Sequence, residues 1–133
     1  MSLSKAKKKL DTIFSQFIRL RGSNDEGYGH CFTCDRLKHW KEVHCGHFMS
    51  RSKLSTRWME TNCQFQCAKC NLYGAGEQFI FGSKLDEFHG EGTAEAILIA
   101  SNQMRKFSVH ELEEMYQYYK NRVDEIKESR GMG

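Results

Sequence analysis

The sequence predicts an α+β protein, mainly helical, in which a small metal-bearing centre is wrapped by N- and C-terminal helices. Three observations lead there: an amphipathic, lysine-rich segment from Ser4 to Arg21, two C-x-x-C pairs at Cys31/Cys34 and Cys67/Cys70, and a tail whose apolar residues recur at three- and four-residue steps. The 133 residues are 39% apolar and 28% charged, the composition of a folded chain, and one domain over 1–133 is expected. Its parts are a basic helix at 1–22, a centre at 28–90 and helices at 91–130.

In "SKAKKKLDTIFSQFIRLR", Leu10, Ile13, Phe14, Phe17 and Ile18 fall on one helical face opposite the lysines. "GSNDEGYGH" supplies turn formers that end this helix near Arg21 or Gly22. "HCFTC" and "WKEVHCGHF" suit two brief strands around a knuckle between Cys31 and Cys34. The second cysteine pair is expected at a turn opening a helix, which begins near Ala68 or after Gly76 and stops at "HGEG". Thr93 is a candidate cap for the following helix, and "SVHE" has the capping-box form from Ser108 to Glu111. Leu112, Met115, Tyr116, Tyr119, Val123 and Ile126 then form an apolar stripe that reads as core. Trp40, Phe48 and Trp58 also read as core in preference to base-stacking residues.

No apolar run reaches the roughly 18 to 20 residues that cross a bilayer, and the N-terminus lacks a secretion signal, so a cytoplasmic protein without membrane contact is expected. In that reducing setting the six cysteines are metal ligands or buried thiols before they are disulfides. The net charge of +3 permits a polyanionic partner. Its distribution is more informative: lysines, Lys7 and Lys8 among them, gather at the front, and Arg51, Lys53 and Arg57 directly follow a histidine pair. These five are candidate contacts to nucleic-acid phosphates.

Two residues between cysteines let both thiolates reach one tetrahedral ion, so Cys31, Cys34, Cys67 and Cys70 together predict a closed structural zinc site. A finger built from Cys31, Cys34, His44 and His47 fits less well, because its spacings are short and it would strand the second pair. Cys45 and Cys63 remain, read as small buried thiols in preference to a second metal site. Within the loop pinned by zinc lie His44, His47 and Asn62, and Asn71 follows the last ligand. Such a set suits metal-assisted phosphodiester hydrolysis: an imidazole deprotonates water, an asparagine orients it, and a further ligand holds a divalent ion against the phosphate.

On "CFTC", "HCGHFMSR", "NCQFQCAKCN" and, more loosely, the helical tail, the sequence resembles the NinG/Rap family of phage recombination proteins within the HNH, or ββα-metal, nuclease superfamily. The resemblance spans roughly residues 30 to 127. It implies a treble-clef-like ββα centre with structural zinc, and an endonuclease that cuts branched DNA such as Holliday junctions and D-loops in a bacterial host. It makes His47 the general base and Asn62 the central asparagine that fixes the loop or the histidine. Asn71 becomes a ligand of a catalytic magnesium or manganese ion, with His44 its partner at that ion or at the phosphate. Many HNH enzymes carry Asp or His immediately before the base, whereas this chain has Gly46, so His44, Glu77 or Asp86 is left to supply the further ligand.

The alternative function is a non-catalytic zinc-binding adaptor for DNA or protein, in which the histidines merely pack. A homodimer would present two sites to the symmetric strands of a junction, and phage recombination proteins are the expected partners.

Overall fold

The computed structural model describes residues 1–132; Gly133, the end of the expected domain, lies outside the described residues. Helix α1 runs from Leu3 to Arg21, opened by Ser2, whose Oγ accepts from the Lys5 amide at 3.1 Å. Its apolar face is fully used: Leu10, Phe14, Phe17 and Ile18 are buried against Leu112, Tyr119 and Val123 of the long C-terminal helix. Each such side chain contributes about 1.5–3 kcal/mol of burial. Phe14 meets Tyr119 edge to face with ring centroids 4.9 Å apart, and Arg130 donates to the Leu20 and Ser23 carbonyls, tying the two helix ends together.

Between these helices in the chain lies the centre. Strands β1 (Tyr28–His30) and β2 (Leu37–His39) pair antiparallel and flank the first cysteine pair. Strand β3 (Val43–His47) pairs antiparallel with β4 (Cys63–Cys67), putting His44 opposite Gln66 and His47 opposite Cys63. The one-turn helix α2 (Leu54–Arg57) sits in the connection between β3 and β4. After β4 comes a wide helical turn at Lys69–Tyr73, then α3 (Gln78–His89), α4 (Thr93–Ser101) and α5 (Val109–Ser129). Phe48, Phe81, Leu85 and Ile97 form a second core between the hairpin end, α3 and α4. Helix α1 also lies against β3 and β4, so its polar residues reach the hairpin. The result is a mixed α+β fold, mostly helical. None of the described helices is long and apolar enough to cross a membrane.

Four local expectations are corrected. "HCFTC" is the knuckle itself rather than a strand, with β1 ahead of it, and "WKE" is a tight turn rather than strand. The strand "VHCGH" pairs not across the knuckle but with "CQFQC", a segment not read as a strand. Five residues with two glutamines carry too weak an alternation to be read as a strand, and Gln66 is itself buried. At α4 the cap is Gly92 instead of Thr93, and the Ala94 amide is satisfied by Asp86 Oδ1 at 2.8 Å. The box at α5 is half formed: Ser108 Oγ accepts from the Glu111 amide, while the Glu111 carboxylate pairs with Arg105.

Candidate functional site

The knuckle and the hairpin bring the four cysteines of the two pairs together. Their sulfurs all lie within 4.8 Å of one another. Cys34 Sγ and Cys67 Sγ are 3.6 Å apart, far beyond a disulfide bond of about 2.05 Å. That spacing is close to the roughly 3.8 Å edge of a tetrahedral zinc–thiolate site. The surroundings favour thiolate at Cys31: burial raises its thiol, but hydrogen bonds from the Cys67 amide and the Thr33 hydroxyl, with backbone amides of the knuckle, outweigh it and bring Cys31 down to about 6, whereas burial pushes Cys34 up and Cys70 up to about 12. This donor set fits zinc, and the four cysteines can hold one ion.

Beyond the knuckle, the hairpin carries the remaining chemistry-bearing residues. His44 on β3 and Asn71, one residue past Cys70, meet through Asn71 Nδ2 and His44 Nδ1 at 3.0 Å. His47, at the end of β3, donates from Nε2 to the Arg57 carbonyl at 2.9 Å, which leaves Nδ1 holding the ring's lone pair. Burial lowers the His47 pKa and Arg51 adds to this, against the raising effect of the Arg57 and Cys45 carbonyls. The ring is therefore neutral near pH 7.

Asn62 is fully buried, and its side chain hydrogen-bonds to Met49 and Thr56 rather than to His47. Its Oδ1 accepts from the Met49 amide at 2.7 Å, and its Nδ2 donates to the Met49 and Thr56 carbonyls. Holding the Thr56 peptide positions the next one, whose Arg57 carbonyl receives His47. Asn62 thus ties the Met49 and Thr56 segments together, one residue before the carbonyl that accepts from His47.

Gly46, which separates Cys45 from His47, faces Gln66. A Cβ at this position would stand 2.2 Å from Gln66 Oε1, and Gln66 is fully buried, with Nε2 donating to Thr33 Oγ1 and the Gly76 carbonyl. The absence of an acidic or histidine side chain before His47 thus has a steric cause.

His44, His47, Asn71 and Cys45 line one cleft of about 550 Å³, together with Asp11, Ser15 and Arg19 from α1 and with Arg51. A second cleft of about 630 Å³ is lined by Lys7, Lys8, Arg51 and Arg57 and shares Asp11 and Arg51 with the first. Four of the five basic candidates therefore form a track that runs into the histidine cleft. Lys53 is exposed at the start of α2 and lines neither. Arg57 is the most enclosed of them, its guanidinium spent on Asp11 with Nε to Oδ1 at 3.1 Å. Arg51 also pairs with Asp11, at 2.9 Å, but its side chain stays 62% exposed and free to reach out.

Of the candidates for a further ion ligand, His44 lies in this cleft and the other two are elsewhere. Glu77 lines a separate cleft with Cys34, Cys70 and Tyr73, and Asp86 caps α4.

Sequence reasoning missed Asp11, which accepts from Arg51, Arg57 and the Trp58 indole. It sits on the boundary of the apolar stripe of α1, where an acid among lysines reads as a solvated charge. Gln66 and Thr33 were missed as well, since nothing in a local pattern marks a buried polar bridge between the two cysteine pairs.

The family described as Bacteriophage Lambda NinG protein matches residues 1–129. No curated protein and no solved structure matches the chain. Since the match takes in the cysteine frame, the histidine cleft and both long helices, the chain belongs to the bacteriophage lambda NinG family.

Proposed function

We propose that this protein is a divalent-metal-dependent endonuclease of the HNH type that hydrolyses phosphodiesters in branched recombination intermediates such as Holliday junctions and D-loops. The observation that carries the reading is one cleft holding His47 beside the His44–Asn71 contact, joined to a basic track. In this reading β3, β4 and the helical turn at Lys69–Tyr73 are the ββα unit of a treble clef, and zinc at the four cysteines fixes its geometry.

Each residue then has a task. His47, neutral and held by the Arg57 carbonyl, takes a proton from water through Nδ1 as that water attacks phosphorus and the bond to the leaving oxygen breaks. Asn62 acts one step back, as a positioning residue. Magnesium or manganese at His44 and Asn71 would neutralise charge developing on the phosphate and the leaving oxygen. So few protein ligands suit an ion that also binds substrate phosphate. Arg51, Lys7 and Lys8 contact the backbone and so read DNA shape rather than sequence. The protein works in the cytoplasm of the bacterial host beside phage recombination proteins, as a single domain. A dimer would address both symmetric strands.

The test is cleavage of a labelled four-way junction beside a linear duplex of matched sequence, with magnesium or manganese and then with EDTA. Ion-dependent cutting of the junction, with the linear duplex spared, is expected. Tight binding without cutting, whichever ion is present, would instead make the protein a zinc-framed adaptor.

A further inference from the structure

Cys45 and Cys63 play no part in the zinc frame or in the reaction just described, yet both point at its proposed base. The strand register dictates this. Cys45 and His47 are two residues apart on β3 and share a face of the hairpin, and Cys63 on β4 stands directly opposite His47. The two sulfurs and a ring nitrogen of His47 accordingly lie within 4.8 Å of one another, and all six cysteines are free thiols. We propose that Cys45, His47 and Cys63 form a second metal site, selective for thiophilic ions such as zinc or cadmium, whose occupation blocks the proposed base.

Several features fit an ion here. Tetrahedral zinc needs sulfur–sulfur and sulfur–nitrogen separations of about 3.5–3.8 Å, so small side-chain rotations close the cluster. Metal-bound histidines ordinarily donate their other ring N–H to a carbonyl or carboxylate, and His47 already donates Nε2–H to the Arg57 carbonyl at 2.9 Å, with Nδ1 left to ligate. Cys63 is fully buried, whereas Cys45 and His47 line the 550 Å³ cleft, so a bound ion would have an entry path and an open fourth position. Both thiols lose their protons on binding, and the two thiolates balance a divalent charge. Arg19 lines the same cleft and offsets any excess of negative charge.

This site differs in kind from the one assigned to the catalytic ion. Two sulfurs and one imidazole select zinc, cadmium or copper(I), while His44 and Asn71 offer no sulfur and suit a harder ion completed by phosphate oxygens. The blocking half of the proposal rests on His47 being the base: one Nδ1 lone pair cannot both hold an ion and accept a proton from water. Free zinc would then be an inhibitor acting inside the cleft and independent of the structural zinc.

The experiment has two arms on the full chain under a non-thiol reductant. In the first, zinc is titrated against a chromophoric chelator. Wild type is expected to take up two equivalents, and Cys45→Ser one; a single equivalent in wild type, or two in both proteins, overturns the site. Because that comparison includes wild type alone, it decides even if the variant folds poorly. In the second arm, manganese-driven junction cleavage is measured with and without added zinc. The ratio of the two rates should fall at least tenfold in wild type and return towards one in Cys45→Ser; equal inhibition of both overturns the block. The zinc titration needs no activity, so failure of the site and failure of the nuclease reading are told apart.

Discussion

Replacing Gly46 with alanine tests the packing that ties the histidine strand to the zinc frame. The new Cβ would stand 2.2 Å from Gln66 Oε1, 2.7 Å from its Cβ and 2.9 Å from its Cδ, separations that non-bonded carbon does not tolerate. Gln66 is fully buried and cannot swing into solvent. If it shifts, it loses its donation to the Gly76 carbonyl at 2.8 Å and to Thr33 Oγ1 at 3.1 Å, and each buried group left unpaired costs about 1–3 kcal/mol. If the strand gives way instead, overpacking costs about 1–3 kcal/mol and moves His44 and His47. The cheaper route sets the loss, at about 1–3 kcal/mol, a sizeable share of the roughly 5–15 kcal/mol that stabilises a domain. The assay is urea unfolding at a buffered free-zinc concentration, so that metal linkage is constant. In a Gln66→Ala background the Oε1 and Cδ contacts are gone and only the 2.7 Å contact with the residue-66 Cβ stays, so the same glycine change should cost less than in the wild-type background. A loss below about 0.5 kcal/mol in the wild-type background, or an equal loss in both, would refute the reasoning.

Three further outcomes follow from the same contacts. Asp11→Ala leaves the enclosed Arg57 guanidinium and the Trp58 indole without their acceptor, and should cost about 3–5 kcal/mol in denaturant unfolding, whereas Asp11→Asn should cost less. Removing zinc with a strong chelator should abolish near-ultraviolet circular dichroism from the centre, because metal binding of about 10–16 kcal/mol in comparable sites exceeds what the small centre can otherwise supply; an unchanged melting temperature would contradict this. Burial lowers the His47 pKa, so the unfolded chain binds that proton first as pH falls. The stability from burying a neutral ring is thus complete above about 6.5, its ordinary value, and is lost as pH drops towards the folded value, with a slope of at most about 1.4 kcal/mol per pH unit. His47→Gln should remove that component of the slope below about pH 6.5.

What could be read from the sequence was set by how local the signal is. Helix α1, the stripe on α5 and the two C-x-x-C pairs are written in short-range spacing, and each occupies its expected part of the chain. Strand β4 was not legible: "CQFQC" is short, and both Gln66 and Phe65 are buried, so alternation fails. With β4 went the register that sets His47 opposite Cys63 and gathers the second thiol cluster. The turn between Gly74 and Glu77 has Ala75, Gly76 and Glu77 at positive φ, and this turns Glu77 into the cleft beside Cys34 and Cys70. No spacing rule could foresee that. Arg57 reads as a DNA contact among its basic neighbours, and only the fold reveals Asp11 from 46 residues away holding its side chain.

The most direct test of the central claim is the single-turnover rate of four-way junction cleavage by wild type and His47→Ala, both carrying the structural zinc alone and matched in circular dichroism. General-base catalysis contributes about 10²–10⁴-fold, so the variant should lose that factor while binding the junction as wild type does. Cleavage by the variant within tenfold of wild type would contradict the account.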